Sequence, residues 1–368
     1  MLPSAISNPT IERLDVSAFT IPTSSPEADG TIAWDQTTLV TVQASAAGVT
    51  SLGYGYADIS TARLIESLLQ PVSLHKSAMH VNEIWIAMVQ AIRNLGRPGI
   101  CSMAIAAVDN ALWDLKARLL KLPLATLLGR ARDAVPVYGS GGFTTYTREQ
   151  LQDQLSGWAA EGIGAVKMKI GTHAERDLHR VAKAREAIGD GVRLMVDANG
   201  AYTRKQALEK AEQFRQFNVA WFEEPVSSDD LEGLRLMRDR APAGMEIAAG
   251  EYGYDSGYFR RMLEAGAVDV LQADGTRCSG VTGFLQADAL CQAFNLPLSA
   301  HTSPTLHGHL CCASLRARDV EYFHDHTRIE QMCFDGALRA TRGVLRPTDA
   351  PGIGLELKQA DIEKFRMR

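Results

Sequence analysis

The segment between Ala165 and Glu223 contains three short apolar runs that end in charged side chains: Ala165-Val-Lys-Met-Lys-Ile170, Arg193-Leu-Met-Val-Asp197 and Ala220-Trp-Phe-Glu223. Short runs of this composition are typical of buried β-strands. The windows between them have the periodicity of amphipathic helices, so the segment predicts repeated strand–helix units.

The same pattern extends over residues 129–335, where apolar runs recur at intervals of roughly 20 to 30 residues. The other five runs are Val135–Ser140, Ile247–Glu251, Val268–Asp274, Pro297–His301 and Val320–Phe323. Eight strands that alternate with helices predict a parallel β/α barrel, in which the carboxyl ends of the strands converge on one mouth. A doubly wound open sheet is the alternative, but no glycine-rich phosphate loop follows the first strand, so the barrel is favoured.

Residues 1–128 are expected to form a separate α+β unit. Strands are predicted over Ile11–Phe19 and Thr38–Val42, with a mobile polar loop at Pro22–Gly30 between them. The clearest helix is predicted over Met103–Leu120, where apolar residues follow one stripe.

Residues 336–368 alternate strand-like pieces with a short helix predicted over Gln359–Phe365. We expect this tail to pack back on the first unit. No helix is predicted between the eighth run and Gly336.

The composition excludes several classes of protein. With 46% hydrophobic and 22% charged residues, the 368-residue chain is globular, and its net charge of −5 offers no electrostatic footprint for nucleic acid or an anionic membrane. No run approaches the roughly 18 apolar residues of a membrane span, and Met1–Val16 lacks a signal-peptide pattern, so a cytoplasmic protein is expected. The six cysteines match no zinc pattern, and Cys311 and Cys312 are expected to be reduced core residues.

Three carboxylates end consecutive strands of the predicted barrel: Asp197, Glu223 and Glu251. Three anions at one mouth repel one another unless a cation neutralises them, and ligation by oxygen alone selects Mg²⁺, with Mn²⁺ as a substitute. The alternative is that one of these acids pairs with an arginine, a role also open to the neighbouring Glu224.

Other ionisable residues end the remaining strands. Lys167 and Lys169 share one side of a strand, so we expect each to lower the pKa of the other and to move one of them towards the range of a general base. An exposed lysine pair is the alternative. Asp274 is expected to accept the Nδ1 proton of His301, which leaves Nε2 free to take or give a proton. The other histidines of this region are expected to be solvated or to lie in a loop or at a helix start: His307, His309, His324 and His326.

A metal ion between a lysine and a histidine suits removal of the proton α to a carboxylate. The ion stabilises the enolate, and a protonated Glu321 is expected to donate a hydrogen bond to it from the opposite edge. Reprotonation on the other face or loss of a β-hydroxyl can follow.

Three motifs occur in a fixed order along the chain. They are the helix Ala104–Asp114 leading to Leu128-Gly129, the run Val166–Gly171, and Val196–Asn199 followed by Trp221–Pro225. With these motifs the chain resembles, over nearly its whole length, the mandelate racemase-like group of the enolase superfamily, which uses a Lys or His base with Mg²⁺. The resemblance implies an α/β fold, a (β/α)₇β modified TIM barrel with an α+β capping domain built from both chain ends, and a homo-oligomer.

The resemblance also implies roles for particular residues. The Mg²⁺ ligands would be Asp197, Glu223 and Glu251, and the catalytic groups Lys169, His301, Asp274, Lys167 and Glu321, of which Lys167 would contact the substrate carboxylate. Two cap loops, Ile21–Gly30 and Leu52–Tyr56, would shape specificity. The further substrate contacts expected are Ser140, Tyr54, Asn199 and Arg277. Arg277 would either bind a distal carboxylate of a diacid or form a structural ion pair, and the ion pair is favoured.

The leading function expected is dehydration of a sugar acid, an aldonate or aldarate, to a 2-keto-3-deoxy acid. A racemase or epimerase of an α-hydroxy acid is the first alternative, because inversion needs two bases on opposite faces, and a lactone cycloisomerase is the second. A barrel aldolase with a Schiff-base lysine would leave the three carboxylates unexplained. A metal-binding barrel without catalysis would leave the acid/base groups unexplained.

Overall fold

An antiparallel sheet of four strands begins the fold in the computed structural model, which describes residues 8–367. The strands are β1 (Arg13–Ala28), β2 (Ala33–Ala46), β3 (Val49–Thr50) and β4 (Gly53–Tyr56). β1 and β2 form one long hairpin whose register shifts once, between Pro22 and Glu27. The prediction of a mobile loop at Pro22–Gly30 is therefore wrong, because the backbone there pairs with β2 as far as Ala28. The segment Leu52–Tyr56, which was expected to be a cap loop, is also mostly strand. The absence of a signal-peptide pattern was predicted for Met1–Val16, and the first seven of these residues lie outside the described structure.

Helices cover one side of this sheet. Their bounds are Ile59–Leu64, the π-helical turn Ile65–Leu69, Gln70–Ser73, Val81–Ala91, Ile100–Leu119 and Leu124–Leu127. The long helix Ile100–Leu119 carries the first family-like motif, whose apolar residues are buried in the core of this cap. Its polar residues dock the cap on the barrel: Asn110 Oδ1 accepts a hydrogen bond from Val281 N (3.0 Å), and Asp109 Oδ2 accepts one from Thr282 N (2.9 Å).

Eight parallel strands form the closed barrel that the sequence predicts. They are β5 (Val135–Gly141), β6 (Ala165–Lys169), β7 (Arg193–Asp197), β8 (Val219–Glu223), β9 (Glu246–Ala249), β10 (Val270–Ala273), β11 (Leu298–Ala300) and β12 (Ala317–Phe323). The barrel closes where β12 pairs with β5, with Val320 opposite Val137. Seven helices connect the strands: Arg148–Ala160, Ala174–Ile188, Arg204–Phe214 with the 3₁₀ turn Arg215–Phe217, Leu231–Arg240, Ser256–Glu264, Gly280–Ala293 and Pro304–Ala313. The first and third begin with capping boxes, at Thr147 and Thr203.

A further helix, His324–Cys333, follows the eighth strand, where the sequence predicts none. Its buried face includes Ile329 and Cys333 but also the acids Asp325 and Glu330. Buried polar residues interrupt the apolar stripe by which helices are recognised, which explains why the helix is missed.

The C-terminal tail contacts both the barrel and the cap. It follows β13 (Phe334–Asp335) and contains β14 (Val344–Leu345), β15 (Glu356–Leu357), the helix Gln359–Ile362 and the 3₁₀ turn Glu363–Phe365. β14 pairs antiparallel with the first two residues of β5, and β15 pairs antiparallel with β13. As expected, the end of the tail reaches the first unit, since Met367 N donates to Ala18 O (2.8 Å).

The turn of the β1–β2 hairpin rests on the barrel mouth. Thr144 N donates to Ala28 O (2.9 Å), and Thr172 Oγ1 donates to Asp29 O. A Cβ atom at Gly30 would lie 2.2 Å from Ala198 O and 2.7 Å from Ile170 O, distances that side chains do not tolerate. Gly30 is therefore needed for the close approach of the hairpin to the strand ends.

We expect Gly30→Ala to lift the hairpin from the barrel and to lower kcat/KM by about 10–100-fold, because a misplacement near 1 Å disturbs substrate positioning. Steady-state kinetics on the accepted acid measures the change. Gly157→Ala is the matched control, since a methyl group there meets nothing within 4 Å. Equal kinetics for the two variants would contradict the role of the hairpin.

Two further expectations concern the whole chain. All six cysteines are free and buried in the described structure. Among residues 8–367, no helix combines the length and the apolar character that crossing a membrane requires.

Candidate active site

A cavity of about 420 Å³ lies between the cap and the carboxyl ends of the barrel strands. The barrel residues that line it are Lys169, Asn199, Glu251, Tyr252, Arg277, His301, Thr302, Glu321 and Phe323. From the cap and the helix after the eighth strand come Asp29, Ile32, Trp34, Gln36, Thr37, Thr38, Tyr56, Ala57, Asp58 and His326. The volume and the mixture of apolar and ionisable groups are those of a small-molecule site.

The carboxylates of Asp197, Glu223 and Glu251 meet below this cavity, with ligand atoms that all lie within 4.8 Å of one another. All three are buried, and Glu251 Oε2 has no hydrogen-bond partner within the described part of the chain. Burial and the neighbouring charge of Asp197 raise the pKa of Glu223 well above its ordinary value. Like charges about 4 Å apart repel by several kcal/mol in a protein site, so the residues fit a hard dication that would neutralise them.

The two lysines of β6 are also buried, and each contacts carboxylates. Lys167 Nζ lies 2.6 Å from Glu223 Oε1 and 2.8 Å from Glu321 Oε1, and Lys169 Nζ donates to Asp197 Oδ2. Burial lowers the pKa of both lysines, but these carboxylates outweigh it and the net pKa of each is raised. Lys167 does lower the pKa of Lys169, as expected, but the expected net fall towards the range of a general base is wrong, because the surrounding carboxylates outweigh that effect.

His301 and Asp274 form the dyad expected from their places at the ends of neighbouring strands. His301 Nδ1 lies 2.8 Å from Asp274 Oδ2, and His301 Nε2 lies 3.3 Å from Glu251 Oε2 without the geometry of a hydrogen bond. Asp274 Oδ1 also accepts from Thr276 N and Thr276 Oγ1, both at 2.7 Å. Burial raises the pKa of Asp274, but the hydrogen bond to His301 and the charges of His301 and Arg277 together lower it by more. The net pKa is below the ordinary value, so the carboxylate is charged and orients the imidazole.

Glu321 is ionised rather than protonated, contrary to the sequence-based expectation. Burial raises its pKa, but the charges of Lys167, His301 and Lys169 together lower it by more, and the net pKa is below the ordinary value. Ser140 Oγ donates to Glu321 Oε1 (2.6 Å), and Thr302 N donates to Glu321 Oε2 (3.1 Å). Ser140 and Lys167 do not line the cavity, and both contact Glu321, which does.

Arg277 adopts the structural ion pair that the sequence favours. Its Nη1 lies 3.2 Å from Glu251 Oε1, its Nε lies 3.7 Å from Asp274 Oδ2, and its guanidinium stacks over Tyr252 at 5.2 Å. Asn199 lines the cavity, and its Oδ1 has no hydrogen-bond partner among residues 8–367.

Tyr54 does not reach the cavity. It is fully buried, and its hydroxyl donates to Glu330 Oε1 (2.6 Å) on the helix that the sequence does not predict. Tyr56, two residues along β4, lines the cavity and stacks on His326 with ring centroids 3.4 Å apart. His326 was expected to be solvated, and its position directly after the eighth strand was the signal for a site residue.

Glu224 is a second residue whose place the sequence did not reveal. It is buried and lies beside the three carboxylates, in a left-handed conformation (φ 37°). Burial and the charge of Glu251 raise its pKa well above the ordinary value, and Oε1 has no hydrogen-bond partner within the described residues. Among residues 8–367 it forms no ion pair with an arginine, which was the role considered for it.

The cap wall contains a buried acid, Glu27. Its Oε2 accepts a hydrogen bond from Trp34 Nε1 (3.0 Å), and its Oε1 has no partner in the described structure. Burial, followed by the charge of Asp325, raises the pKa of Glu27 to about 8. Glu27 is therefore mostly protonated at neutral pH while it supports Trp34.

This shift predicts how stability depends on pH. The folded-state pKa of Glu27 is near 8, against an ordinary value of 4.5, so its contribution to stability is full below about pH 4.5 and is lost as the pH rises through 8. We expect the free energy of unfolding to fall by roughly 2–4 kcal/mol over this pH range in the wild type, and Glu27→Gln should reduce this fall. Urea titrations at several pH values measure the free energy of unfolding. The exposed Glu175→Gln should retain the wild-type slope, and a Glu27→Gln slope equal to wild type would exclude the shifted carboxyl.

Models of two protein families match this chain. Residues 16–129 match the mandelate racemase / muconate lactonizing enzyme N-terminal domain, and residues 150–361 match the enolase C-terminal domain-like family. The chain belongs to the enolase superfamily, in its mandelate racemase-like group. The two matches correspond to the cap and to most of the barrel of this enolase-superfamily protein.

Two curated relatives show the range of reactions among proteins similar to this superfamily member. A D-galactarolactone cycloisomerase from Agrobacterium fabrum is 32% identical over 307 residues, 77% of this chain and 79% of that protein. An arabinonate dehydratase from Saccharolobus solfataricus is 29% identical over 326 residues, which are 86% of each chain. Similarity at this level supports an enzyme but leaves the reaction open.

Two solved structures share the whole fold of this enolase-superfamily protein. A mandelate racemase/muconate lactonizing enzyme-like protein from Rubrobacter xylanophilus is 53% identical, with a TM-score of 0.96 and coverage of 98% of this chain and 100% of that one. A racemase from Streptomyces coelicolor with bound magnesium is 30% identical, with a TM-score of 0.92 and coverage of 97% and 100%.

Proposed function

We propose that this protein removes the α-proton of a carboxylate substrate in a Mg²⁺-dependent reaction, and that the reaction is dehydration of a sugar acid to a 2-keto-3-deoxy acid. One observation carries the proposal. The carboxylates of Asp197, Glu223 and Glu251 form one buried cluster, and Lys169 and His301 line the cavity above it. Mn²⁺ is expected to substitute for Mg²⁺.

Each group then has a defined task. Asp197, Glu223 and Glu251 would hold Mg²⁺, which when bound supplies positive charge that stabilises the anion left by proton removal. Lys169 ends β6 and His301 directly follows β11. These strands are separated around the barrel by β5 and β12, so the two side chains approach a substrate from different sides. One of them takes the α-proton, and protonated His301 delivers a proton to the departing β-hydroxyl. Asp274 holds His301 Nδ1, which leaves Nε2 free for this transfer.

A lactone cycloisomerase is the second candidate. It is favoured by the Agrobacterium relative and by a 3,6-anhydro-α-L-galactonate cycloisomerase from Streptomyces coelicolor, which is 32% identical over 96% of this chain. A racemase needs the same two bases and stays an alternative. A Schiff-base aldolase is disfavoured, because it would leave the buried cluster of three carboxylates without a role.

Incubation with Mg²⁺ in deuterated water separates these reactions. A dehydratase forms a 2-keto acid that semicarbazide detects, a racemase returns labelled substrate of both hands, and a cycloisomerase interconverts a lactone and an acid. We expect the semicarbazide product from a panel of mono- and diacid sugars, and we expect chelation with EDTA to abolish it. Absence of α-proton exchange with every acid of the panel would contradict the proposal.

A further inference from the structure

The end of the cavity that the cap forms is negatively charged. Of the cap residues that line it, only Asp29 and Asp58 are charged, while the polar side chains near them, Gln36 and Thr38, are neutral. Asp29 follows β1 at the hairpin turn, and Asp58 precedes the helix Ile59–Leu64. Both belong to the part of the wall contributed by the cap rather than to the barrel strand ends.

Neither acid is neutralised by a cation within residues 8–367. Asp29 Oδ1 accepts hydrogen bonds from Thr31 N (2.6 Å) and Ile32 N (2.8 Å). Asp58 Oδ1 accepts one from Ser60 N (2.8 Å), and the hydrogen bonds from Ser60 lower the pKa of Asp58. Neutral donors therefore hold both carboxylates in place, and their negative charge faces the cavity.

The cations that line the described cavity are engaged elsewhere. Lys169 donates to Asp197, and Arg277 contacts Glu251 and Asp274. Both belong to the barrel. A second carboxylate placed at the cap end would therefore meet two like charges and no free cation, and such an uncompensated charge disfavours binding.

The rest of the cap end suits an uncharged chain. Trp34 and Tyr56 offer aromatic surface, and Ile32 is 63% exposed at the same wall. Gln36 and Thr38 can exchange hydrogen bonds with hydroxyl groups. Apolar faces with a few neutral polar groups match the C–H and O–H surface of a polyol.

We infer that the substrate carries a single carboxylate, which lies against the barrel carboxylate cluster, and an uncharged hydroxylated chain that extends to the cap. Aldonates are therefore accepted and the aldarates of the same configuration are rejected. The inference rests on the proposed function, which by itself allows both classes. Asp29 and Asp58 exclude the second carboxylate.

Matched pairs of acids test this inference: gluconate against glucarate, and galactonate against galactarate. We expect kcat/KM with Mg²⁺ to favour the accepted aldonate over its aldarate by at least about tenfold. Calorimetric binding of both members of each pair gives a second ranking that needs no turnover. An aldarate that binds and reacts as well as its aldonate would overturn the inference.

Charge variants test the cause of the selection. Asp58→Asn retains a helix-capping side chain and removes the charge, and Asp58→Lys reverses it. We expect Asp58→Lys to shift the aldonate-to-aldarate ratio by about tenfold towards the aldarate, and Asp58→Asn to shift it part of the way. Glu161→Lys, at the opposite end of the barrel after the helix Arg148–Ala160, makes the same charge change and should leave the ratio unaltered.

The outcomes separate the two proposals. If no acid exchanges its α-proton, the proposed function fails, while the calorimetric ranking of each pair still decides between one carboxylate and two. If exchange occurs but the ratio is the same for wild type, Asp58→Asn and Asp58→Lys, the charge argument fails and the proposed function stands. Melting temperatures of the three proteins show that each is folded.

Discussion

Lys169→Met is expected to lower kcat by about 10³-fold, because it removes a proton-transfer group at one side of the cavity. The side chain lines the cavity, and its Nζ donates to Asp197, so it lies beside both the substrate space and the carboxylate cluster. Methionine has a similar length and no proton to transfer. Mg²⁺ binding should be retained, since removing the Lys169 ammonium does not weaken the attraction of the carboxylate cluster for Mg²⁺.

His301→Asn should lower kcat to a similar degree, because it removes the imidazole that Asp274 orients for proton transfer. Isotope exchange distinguishes the two variants. Each should still exchange the α-proton of an acid whose proton faces the base that remains, while overall dehydration is lost. Lys205→Met and His179→Asn, both exposed, are the controls. Full turnover by Lys169→Met or His301→Asn would overturn the assignment of roles.

Asp197→Asn is expected to weaken Mg²⁺ binding by roughly 100-fold or more, as judged from the losses that follow even indirect changes at metal sites. Asp197 is fully buried, and its carboxylate is shared between the cluster and Lys169. An amide retains the shape and one oxygen, but it removes the negative charge on which ligation of a hard dication depends.

Isothermal titration calorimetry with Mg²⁺ on the chelator-treated protein measures this effect. Asp190→Asn, an exposed substitution of the same kind, should leave the affinity unchanged. Circular dichroism should show the same fold for both variants. An unchanged Mg²⁺ affinity in Asp197→Asn would mean that the three carboxylates do not bind the ion together.

The electrostatics of the site follow from its carboxylates. The cluster and Glu321 surround both lysines of β6, so the net pKa of each lysine is raised instead of lowered. The same lysines keep Glu321 ionised. The sequence shows which charges are present, but their mutual distances decide which form each group adopts.

The sequence by itself determined the barrel and the charged residues at its mouth. Short apolar runs at regular spacing specify buried parallel strands, and in a closed barrel the ends of those strands meet. For this reason Asp197, Glu223 and Glu251 are predicted as one cluster, and His301 is predicted beside Asp274, from positions along the chain alone. The motif Ala104–Asp114 likewise indicates the helix that docks the cap on the barrel.

Only the tertiary structure decided which cap residues face the cavity. Tyr54 is buried, and its hydroxyl donates to Glu330, 276 positions away in the sequence. Glu330 lies on the helix His324–Cys333, which the sequence does not predict because buried acids interrupt its apolar stripe. Tyr56 and His326 stack at the cavity because His326 lies on the same unpredicted helix. Asp29 reaches the cavity because the β1–β2 hairpin remains paired as far as Ala28. Strand register and packing between distant segments produce these contacts, and neither leaves a periodic pattern in the local sequence.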